Sequence, residues 1–302
     1  MDMLLVNNFF YWMNERHSIY LNKEAGNPWP WTNDSILQKY KFTNPFRQND
    51  AVTKVLTTEI TTPHYNAEPD LLFANIATFR MFNWPATYRN LGGWRTTWSE
   101  VRAKKILNKQ KAQGRKIFTG AYIITNAGSK SSKVDYICES ITPLWKNRKT
   151  ITKKIMSGNS LQVASAYLQS YPAIGRFIAY ELVTDLRHTP ILNTAEDIGS
   201  WANPGPGAKR GLNRIHGRHL KFTQPDDKFI EEMRTLLSLA NVEITDELST
   251  GSPGQLSCIT HNYTHAIEMR DIEHSLCEFD KYLRVKNGEG RPRSLYKNII
   301  NG

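Results

Sequence analysis

Apolar residues recur along most of the chain at intervals of three and four positions, the spacing that places them on one face of an α-helix. Residues 7–22 show the pattern with large apolar side chains at 9, 10, 12, 13, 19 and 21. The same spacing predicts helices over 34–40, 49–57, 71–82, 97–113, 160–170, 176–186, 226–241 and 261–282. Only residues 115–128 mix β-branched and aromatic residues in a strand-like way. The pattern therefore predicts a mainly α fold with few short strands.

Signals for helix ends and domain boundaries are sparse. Thr32 or Asn33 is predicted to cap the short helix over 34–40, and Gly114 to end the helix over 97–113. Residues 60–70 are the one plausible linker, and the tail over 284–302 is predicted to be extended. With 302 residues and no repeat, we expect a single helical domain over 1–302, with possible sub-lobes over 1–114 and 115–302.

The charge balance points to a polyanionic partner. The chain has 39 Lys and Arg against 28 Asp and Glu, a net charge of +11. Fourteen of the basic residues fall in residues 101–154, opposed only by Asp135 and Glu139, and a second basic run over 205–221 contains no acid. Either run can hold phosphates or form a solvated helix face. The charge distribution therefore predicts a polyanion as the partner, bound with release of counterions.

Several function classes lack their sequence signals. Cys138, Cys258 and Cys277 form no CxxC pair, which argues against a zinc ribbon or a four-cysteine cluster. No GxxxxGK[ST] loop and no strand-linked GxGxxG is found, so neither a P-loop kinase nor a Rossmann site is predicted. No apolar run reaches membrane length and the N-terminus is unlike a signal peptide. We expect a cytoplasmic protein that needs no cofactor or metal and has no membrane partner.

A Pro- and Gly-containing break between two amphipathic segments stands out. The run Tyr171-Pro172-Ala173-Ile174-Gly175 separates the predicted helices over 160–170 and 176–186. It resembles the helix–hairpin–helix of base-excision DNA glycosylases, with Tyr171 and Ala173 in place of the usual Leu and Gly. Gly175 and Arg176 would then present backbone N–H groups to a DNA phosphate. An ordinary helical hairpin is the alternative.

The glycosylase resemblance also suggests an acid. A catalytic Asp follows the hairpin glycine by about twenty residues in that superfamily, and Asp197 follows Gly175 by twenty-two. The alternative is that Asp197 is a surface N-cap for the turn before Trp201. Phe177 stands where bifunctional glycosylases place a nucleophilic lysine, which argues against lyase chemistry.

Six longer strings resemble the phage α-glutamyl/putrescinyl-thymine pyrophosphorylase family, also called amino acid:DNA transferases. The related helical domain of 5-hydroxymethyluracil DNA kinases shares the N-terminal strings. The strings are Glu15-Arg16-His17-x-x-Tyr20, Pro28-Trp29-Pro30-Trp31-Thr32, Lys41-Phe42-Thr43-Asn44-x-Phe46-Arg47-x-x-Asp50, Phe118-Thr119-Gly120-Ala121-Tyr122, Asn203-Pro204-Gly205-Pro206-Gly207-Ala208-x-Arg210-Gly211-Leu212 and Asp271-Ile272-Glu273-His274-x-Leu276-Cys277-Glu278-Phe279-x-Lys281-Tyr282.

This resemblance implies an enzyme of thymine hypermodification in the infected bacterial cell. A kinase of that system pyrophosphorylates 5-hydroxymethyluracil within DNA, and the transferase replaces the pyrophosphate with an amino acid or a polyamine. Because this sequence has no kinase loop, the transferase step is the predicted one. Glycine, glutamate, serine and putrescine remain open as the nucleophile, glycine being our first choice, and the oligomeric state is not predicted.

Four roles can be assigned to residues for that reaction. The flipped base would stack on Trp29, Trp31, Phe46 or Tyr122, with Asn44 reading its edge, although core packing is the alternative for each aromatic. Pyrophosphate would bind the turn Gly205, Gly207, Lys209 and Arg210, unless that turn contacts only the DNA backbone.

The remaining two roles are the base and the carboxylate site. Asp197, Glu273 or His274 would remove the proton of the amine. Asp271, His274 and Glu278 share one helix face by their spacing, and a buried ion-pair network is favoured over a metal site there. Arg16 or Arg47 would bind the carboxylate of an amino acid. A monofunctional DNA glycosylase and a non-enzymatic DNA-binding module are the competing interpretations.

Overall fold

A computed structural model describes residues 1–120, 130–250, 266–292 and 294–296, the last ten residues of the helix ending at Thr250 by their backbone alone. Within these ranges the chain is mainly helical, and its one β-bridge joins Tyr40 to Leu295. The helices are α1 Met3–Glu24, α2 Ser35–Lys39, α3 Ala51–Leu56, α4 Pro69–Phe82, α5 Pro85–Asn90, α6 Glu100–Ala112, α7 Lys133–Lys146, α8 Arg148–Gly158, α9 Leu161–Leu168, α10 Arg176–Leu186, α11 Pro206–Ile215, α12 Asp226–Thr250 and α13 Met269–Lys286.

The predicted helical class is confirmed, and the differences lie mostly at element ends. The cap of α2 is Asp34 instead of Thr32 or Asn33, because its carboxylate accepts the N–H groups of Ile36 and Leu37. The residues described within 115–128 form no strand, and the rest of that segment lies outside the described residues. The predicted linker over 60–70 contains the end of a π-helical turn, Thr57–Thr61, and the start of α4.

Helices α5, α7, α8 and α11 were not predicted from the sequence. Helix α7 contains a proline, Pro143, and proline inside a segment argues against a helix. The apolar residues of α7 nevertheless have helical spacing and form a buried stripe. Helices α5 and α11 begin with Pro85 and Pro206, which fit the first helical turn because its N–H groups need no partner in the helix. Proline in these segments therefore marks helix starts as well as turns.

The chain divides into two compact units. The first contains residues 1–50 and 198–302, and the second contains residues 51–197. These boundaries differ from the possible sub-lobes over 1–114 and 115–302, since the first unit is built from both ends of the chain. Whether the two units act as one domain stays a prediction.

Helix α13 is the centre of the first unit. It packs against α1, α2, α11 and α12, and apolar side chains such as Ile272, Leu276 and Phe279 are fully buried along it. Its contact with α11 is close, because a Cβ added at Gly211 would lie 2.4 Å from the Leu276 carbonyl oxygen. This close approach brings the turn before α11 next to the polar face of α13.

Helix α4 is the centre of the second unit and packs against α5, α7, α8 and α10. Nearly every residue from Asp70 to Phe82 is buried, including Arg80. The Arg80 guanidinium forms a two-point ion pair with Asp185 of α10, one contact being Nη2 to Oδ1 at 2.8 Å, and also donates to Asn83 and Thr53. A fully satisfied charge pair thus fixes α4 against α10.

Candidate functional site

Three segments of the first unit, distant in sequence, bring buried and half-buried polar side chains together. Helix α1 supplies Arg16 and His17, the loop over 41–50 supplies three residues, and α13 supplies two. We call this group the polar cluster. Its members are Arg16, His17, Asn44, Arg47, Asp50, His274 and Glu278.

The loop over 41–50 is held in place by its own polar groups. Asn44 is 1 % exposed; its backbone N–H donates to Asp50 Oδ1 at 3.1 Å, and its side-chain oxygen accepts the Phe46 N–H at 2.9 Å. The Phe42 carbonyl accepts Arg16 Nε at 2.9 Å. The Thr43 N–H donates to Glu278 Oε2 at 3.2 Å. Backbone hydrogen bonds thus tie the loop to α1 and α13.

Asp50 is the carboxylate at the centre of the polar cluster. Burial raises its pKa above the ordinary value, while His274, the Asn44 N–H, Arg47 and Arg16 act in the opposite direction. The charge of His274 is therefore near enough to affect the pKa of Asp50, as are those of the guanidinium groups of Arg16 and Arg47. An imidazole that interacts with a carboxylate can accept and hold a proton.

Glu278 and His17 differ in ionisation although they belong to the same cluster. Burial alone would raise the Glu278 pKa, but Lys281, His274 and the Thr43 N–H outweigh it and the pKa lies below its usual range. Burial lowers the pKa of His17 to about 4, with the charge of Arg16 acting the same way and a hydrogen bond with Asn44 opposing it. At neutral pH, Glu278 is therefore ionised and the His17 imidazole is neutral.

Some buried polar atoms of this region lack a hydrogen-bond partner among the described residues. They are Arg16 Nη1, Thr43 Oγ1 and His274 Nε2. Buried donors and acceptors are nearly always satisfied, so such atoms indicate where water or a ligand binds. They leave the polar cluster able to take a polar ligand.

The predicted pyrophosphate turn is placed beside α13. Gly205 caps α11, and its N–H donates to Glu273 Oε1 at 3.1 Å. A Cβ added at Gly207 would lie 2.2 Å from Cys277 Sγ, so Gly207 is needed for the close contact of α11 with α13. Whether the turn also binds phosphate stays a prediction.

Lys209 and Arg210 are both held by carboxylates. Lys209 Nζ lies 2.6 Å from Asp226 Oδ1, and Arg210 Nε lies 2.8 Å from Asp280 Oδ2. Asp280 is fully buried and also binds Arg214 at 2.9 Å. A pyrophosphate would have to share these two cations with acids already bound to them.

Asp197 belongs to the second unit and binds the start of α9. Its carboxylate accepts the Leu161 N–H at 2.7 Å, the Gln162 N–H at 2.9 Å and the Ser160 hydroxyl at 2.8 Å. These bonds satisfy orphan donors of the helix start. The N-cap residue of α9 itself is Ser160, so Asp197 binds the start of α9 and not the turn before Trp201. The catalytic role of Asp197 stays a prediction.

The predicted break over 171–175 lies between α9 and α10, and its equivalence to the helix–hairpin–helix of DNA glycosylases stays a prediction. Ala173 has a φ of 60°, the left-handed conformation that glycine adopts at little cost. Gly175 caps α10 without a side-chain hydrogen bond, and Gly175, Arg176 and Phe177 are exposed. Whether Gly175 and Arg176 bind a phosphate through the N-terminal backbone of α10 stays a prediction.

The predicted stacking residues have different environments. Phe46 is buried and packs edge-on against His17 with ring centroids 5.1 Å apart, so it acts as core. Trp31 is half-buried, and its indole N–H donates to the Asn27 carbonyl at 2.8 Å. Trp29 is 38 % exposed and is free to meet a base. Tyr122 lies outside the described residues.

The structure thus unites only some of the predicted residues. Arg16, Asn44, Arg47 and His274 meet in the polar cluster, and Glu273 lies on the same helix as His274. Sequence reasoning assigned no role to Asp50 or His17, although both stand in the quoted strings. Both residues have polar neighbours in the sequence, so no local signal distinguishes them, and their role becomes visible only once their burial is known.

No group of three or more His, Cys, Asp or Glu side chains in the described residues could hold a metal ion. Among the same residues, none of the helices combines the length and the apolar character needed to cross a membrane.

Comparison with known proteins gives two matches. A family model described as the helical domain of 5-hmdU DNA kinase matches residues 4–291. The 5-hmdU DNA kinase of Bacillus phage SP10 is 25 % identical over 310 residues, which cover 93 % of this chain and 44 % of that kinase. The chain thus spans less than half the length of this relative. No solved structure matches the chain.

Proposed function

Because the chain belongs to the family of the helical domain of 5-hmdU DNA kinases, we propose that it acts in thymine hypermodification of phage DNA, as an amino acid:DNA transferase. Its substrate would be 5-(pyrophosphoryloxymethyl)uracil within DNA, and the second substrate an amino acid or a polyamine. The single observation that carries this proposal is the polar cluster, which combines guanidinium groups, a histidine whose charge affects the pKa of Asp50, and buried polar atoms without a hydrogen-bond partner among the described residues.

The cluster contains the groups that the reaction requires. The amine nitrogen forms a bond to the exocyclic methylene carbon, and the carbon–oxygen bond to pyrophosphate breaks with its electron pair leaving on the pyrophosphate. The nitrogen then loses a proton. We assign that proton to His274 Nε2, which has no hydrogen-bond partner among the described residues, with Asp50 stabilising the imidazolium.

The two arginines of the cluster suit an anionic second substrate. Arg16 has one free buried nitrogen, Nη1, among the described residues, and Arg47 lies close enough to Asp50 to affect its pKa. A guanidinium binds a carboxylate through two parallel hydrogen bonds. An amino acid would place its carboxylate there and its amine toward His274, whereas putrescine would leave the arginines unused.

The transfer is tested on DNA carrying pyrophosphorylated 5-hydroxymethyluracil. The DNA is incubated with the protein and a panel of labelled amines, and the digested nucleosides are analysed by mass spectrometry. We expect a new nucleoside in which the amine has replaced pyrophosphate, with the sugar bond intact. His274→Gln should lower the rate by about 10²-fold or more, the loss expected for a general base.

A matched variant separates chemistry from folding. His219 is exposed in the same unit, so His219→Gln removes an imidazole without touching the polar cluster and should keep the wild-type rate. Equal rates for His274→Gln and wild type would refute the assigned base. Abasic sites in place of a new nucleoside would show a glycosylase.

A second candidate function is DNA binding without chemistry. It is favoured by one set of observations: Asp197 binds the start of α9, and Lys209 and Arg210 are already paired with acids. In that case the wild-type protein would bind the modified DNA and leave every nucleoside unchanged in the same mass-spectrometric experiment.

A further inference from the structure

A cavity of about 220 Å³ lies in the second unit, where the loop before α6 meets the first turns of that helix. Its lining includes two arginines, Arg95 and Arg102, the indole of Trp98 and two small hydroxyl side chains, Thr97 and Ser99. No carboxylate side chain is among its lining residues. A concave site with two guanidinium groups and no acid carries a concentrated positive potential.

Arg95 is fixed in the wall of this cavity. Its Nε and Nη2 donate to the Gly93 carbonyl at 3.0 and 2.8 Å, and its guanidinium lies 5.1 Å from the centre of the Tyr88 ring and 5.8 Å from that of Trp98. Burial lowers the pKa of Arg95 and the nearby Arg102 lowers it further, with Tyr88 opposing. The Arg95 guanidinium is therefore held in position by a backbone carbonyl and two aromatic rings, and not by a carboxylate.

Arg102 has no ion pair in the described part of the chain, and the acids near it are engaged elsewhere. Glu100 binds Lys104 at 2.7 Å and accepts the Thr142 hydroxyl at 2.8 Å. Glu139 also binds Lys104, at 2.8 Å. Arg102 is exposed, so its guanidinium can close over an anion in the cavity. Two adjacent guanidinium groups repel each other, and a bound anion would relieve that repulsion.

We propose that this cavity binds a phosphodiester group of the DNA backbone, with Arg95 as the fixed donor and Arg102 as the closing one. The proposal rests on DNA being the substrate, as in the proposed function, and adds a contact site in the second unit. The Trp98 indole would pack against the sugar beside the bound phosphate.

The surface next to the cavity favours a polymer over a free anion. Arg102, Lys105 and Lys109 follow one another at i, i+3 and i+7 along α6, which places them on one helix face. All three are exposed, and no ion pair holds their side chains in the described residues. A DNA strand that enters the cavity at Arg102 can continue along this row, whereas a free phosphate would use only its first member.

The test compares two variants of the full chain that lose the same charge from the same helix. Arg102→Gln removes the closing donor, and Lys111→Gln removes a cation on the opposite side of α6, nine positions along. Binding of a fluorescent duplex is measured at several salt concentrations. We expect Arg102→Gln to weaken binding about tenfold and to lower the salt slope by about 0.9, the value for one lost phosphate contact. Lys111→Gln should change the affinity less than about twofold.

A competition arm identifies the source of the phosphate. Inorganic pyrophosphate is added to the wild-type complex, and displacement of DNA only at millimolar concentrations would support a site built for the backbone. Pyrophosphate binding that Arg102→Gln abolishes while DNA affinity stays unchanged would overturn the proposal in favour of a free anion. Equal effects of Arg102→Gln and Lys111→Gln would overturn it as well, since general electrostatics would then suffice.

Failure of this proposal can be told apart from failure of the proposed function. If wild-type protein modifies DNA but the two variants bind it equally, only the cavity assignment is wrong. If the wild-type protein does not bind DNA at all, both are wrong.

Discussion

At the scale of single residues, burial decides what a charged side chain does. The Arg80–Asp185 pair and the Arg89–Glu59 pair each join a carboxylate to two nitrogens of a guanidinium, but the first pair is buried and the second lies at the surface. Inside the core, removal of one partner leaves the other charge without water or a counter-ion. At the surface, water replaces the lost partner.

Replacing one acid of each pair measures this difference. Asp185→Ala should lower the free energy of unfolding by about 3–5 kcal/mol, because it leaves Arg80 buried and uncompensated. Glu59→Ala, the matched control, should cost less than about 1 kcal/mol. Urea unfolding followed by circular dichroism gives both values. Similar losses for the two variants would show that burial does not set the energy of the Arg80 pair.

His17 makes stability depend on pH in a predictable direction. Its folded pKa of about 4 is below the ordinary 6.5, so between these values the unfolded chain binds more protons at this residue. The neutral His17 imidazole therefore contributes to the free energy of unfolding in full above pH 6.5. This contribution, up to about 3 kcal/mol, is lost as the pH falls toward 4. His17→Gln should flatten this part of the stability curve.

The measurement is a series of urea unfolding curves between pH 4 and 7. His219→Gln serves as the control, because that side chain is exposed in the folded protein. If His17→Gln and wild type lose stability in parallel over this range, the imidazole of His17 is not the group responsible.

At the scale of secondary-structure elements, glycine and alanine positions show how closely helices approach. Gly207 and Gly211 allow α11 to lie against α13, and the turn between α9 and α10 uses Ala173 where glycine would be less strained. The sequence identified that turn because Pro172 and Gly175 interrupt two amphipathic segments. It could not show that Gly207 serves packing, since a glycine-rich turn before a helix looks the same in either role.

The same chemical change should have opposite effects at two positions of the hairpin. Ala173→Gly should raise the free energy of unfolding by about 1 kcal/mol, because it removes the strain of a left-handed Cβ. Ala166→Gly, in the exposed face of α9, should lower it by about 1 kcal/mol through helix propensity. Thermal or urea unfolding of both variants decides the matter. A loss of stability in Ala173→Gly would mean that this turn is not strained.

At the scale of the whole molecule, the chain forms two units with different connectivity. The second unit is one continuous segment, 51–197, with its own buried helix α4 and its own buried ion pair. The first unit combines both ends of the chain around α13. A continuous segment with a complete core can fold without the rest of the chain.

We therefore predict that the isolated segment 51–197 is helical and unfolds cooperatively in urea. A segment of equal length, 1–147, divides both units and should show no cooperative transition, because it lacks α10 and α13. Circular dichroism and size-exclusion chromatography distinguish the two. A non-cooperative 51–197 would indicate that the units depend on each other for folding and would favour the single domain predicted from the sequence.

The sequence alone predicted the family of this chain, but it could not establish which reaction the chain catalyses. The long strings rich in Trp, His and Asn predicted a relationship to the helical domain of 5-hydroxymethyluracil DNA kinases, which is confirmed. The transferase step and its nucleophile remain proposals. Shared sequence motifs indicate common ancestry. The roles of the residues in those motifs depend on which side chains lie close together in the folded protein.

The sequence by itself determined the helical class, most of the helices and the hairpin before α10, because helix formation and turns depend on neighbours a few positions away. Only the tertiary structure decided that the Asp197 carboxylate binds the first turn of α9, that Lys209 and Arg210 are held by acids, and that His274 is near enough to affect the pKa of Asp50. Those outcomes depend on contacts between segments far apart in sequence, where burial changes a side chain's partners and its pKa. A local pattern does not contain that information.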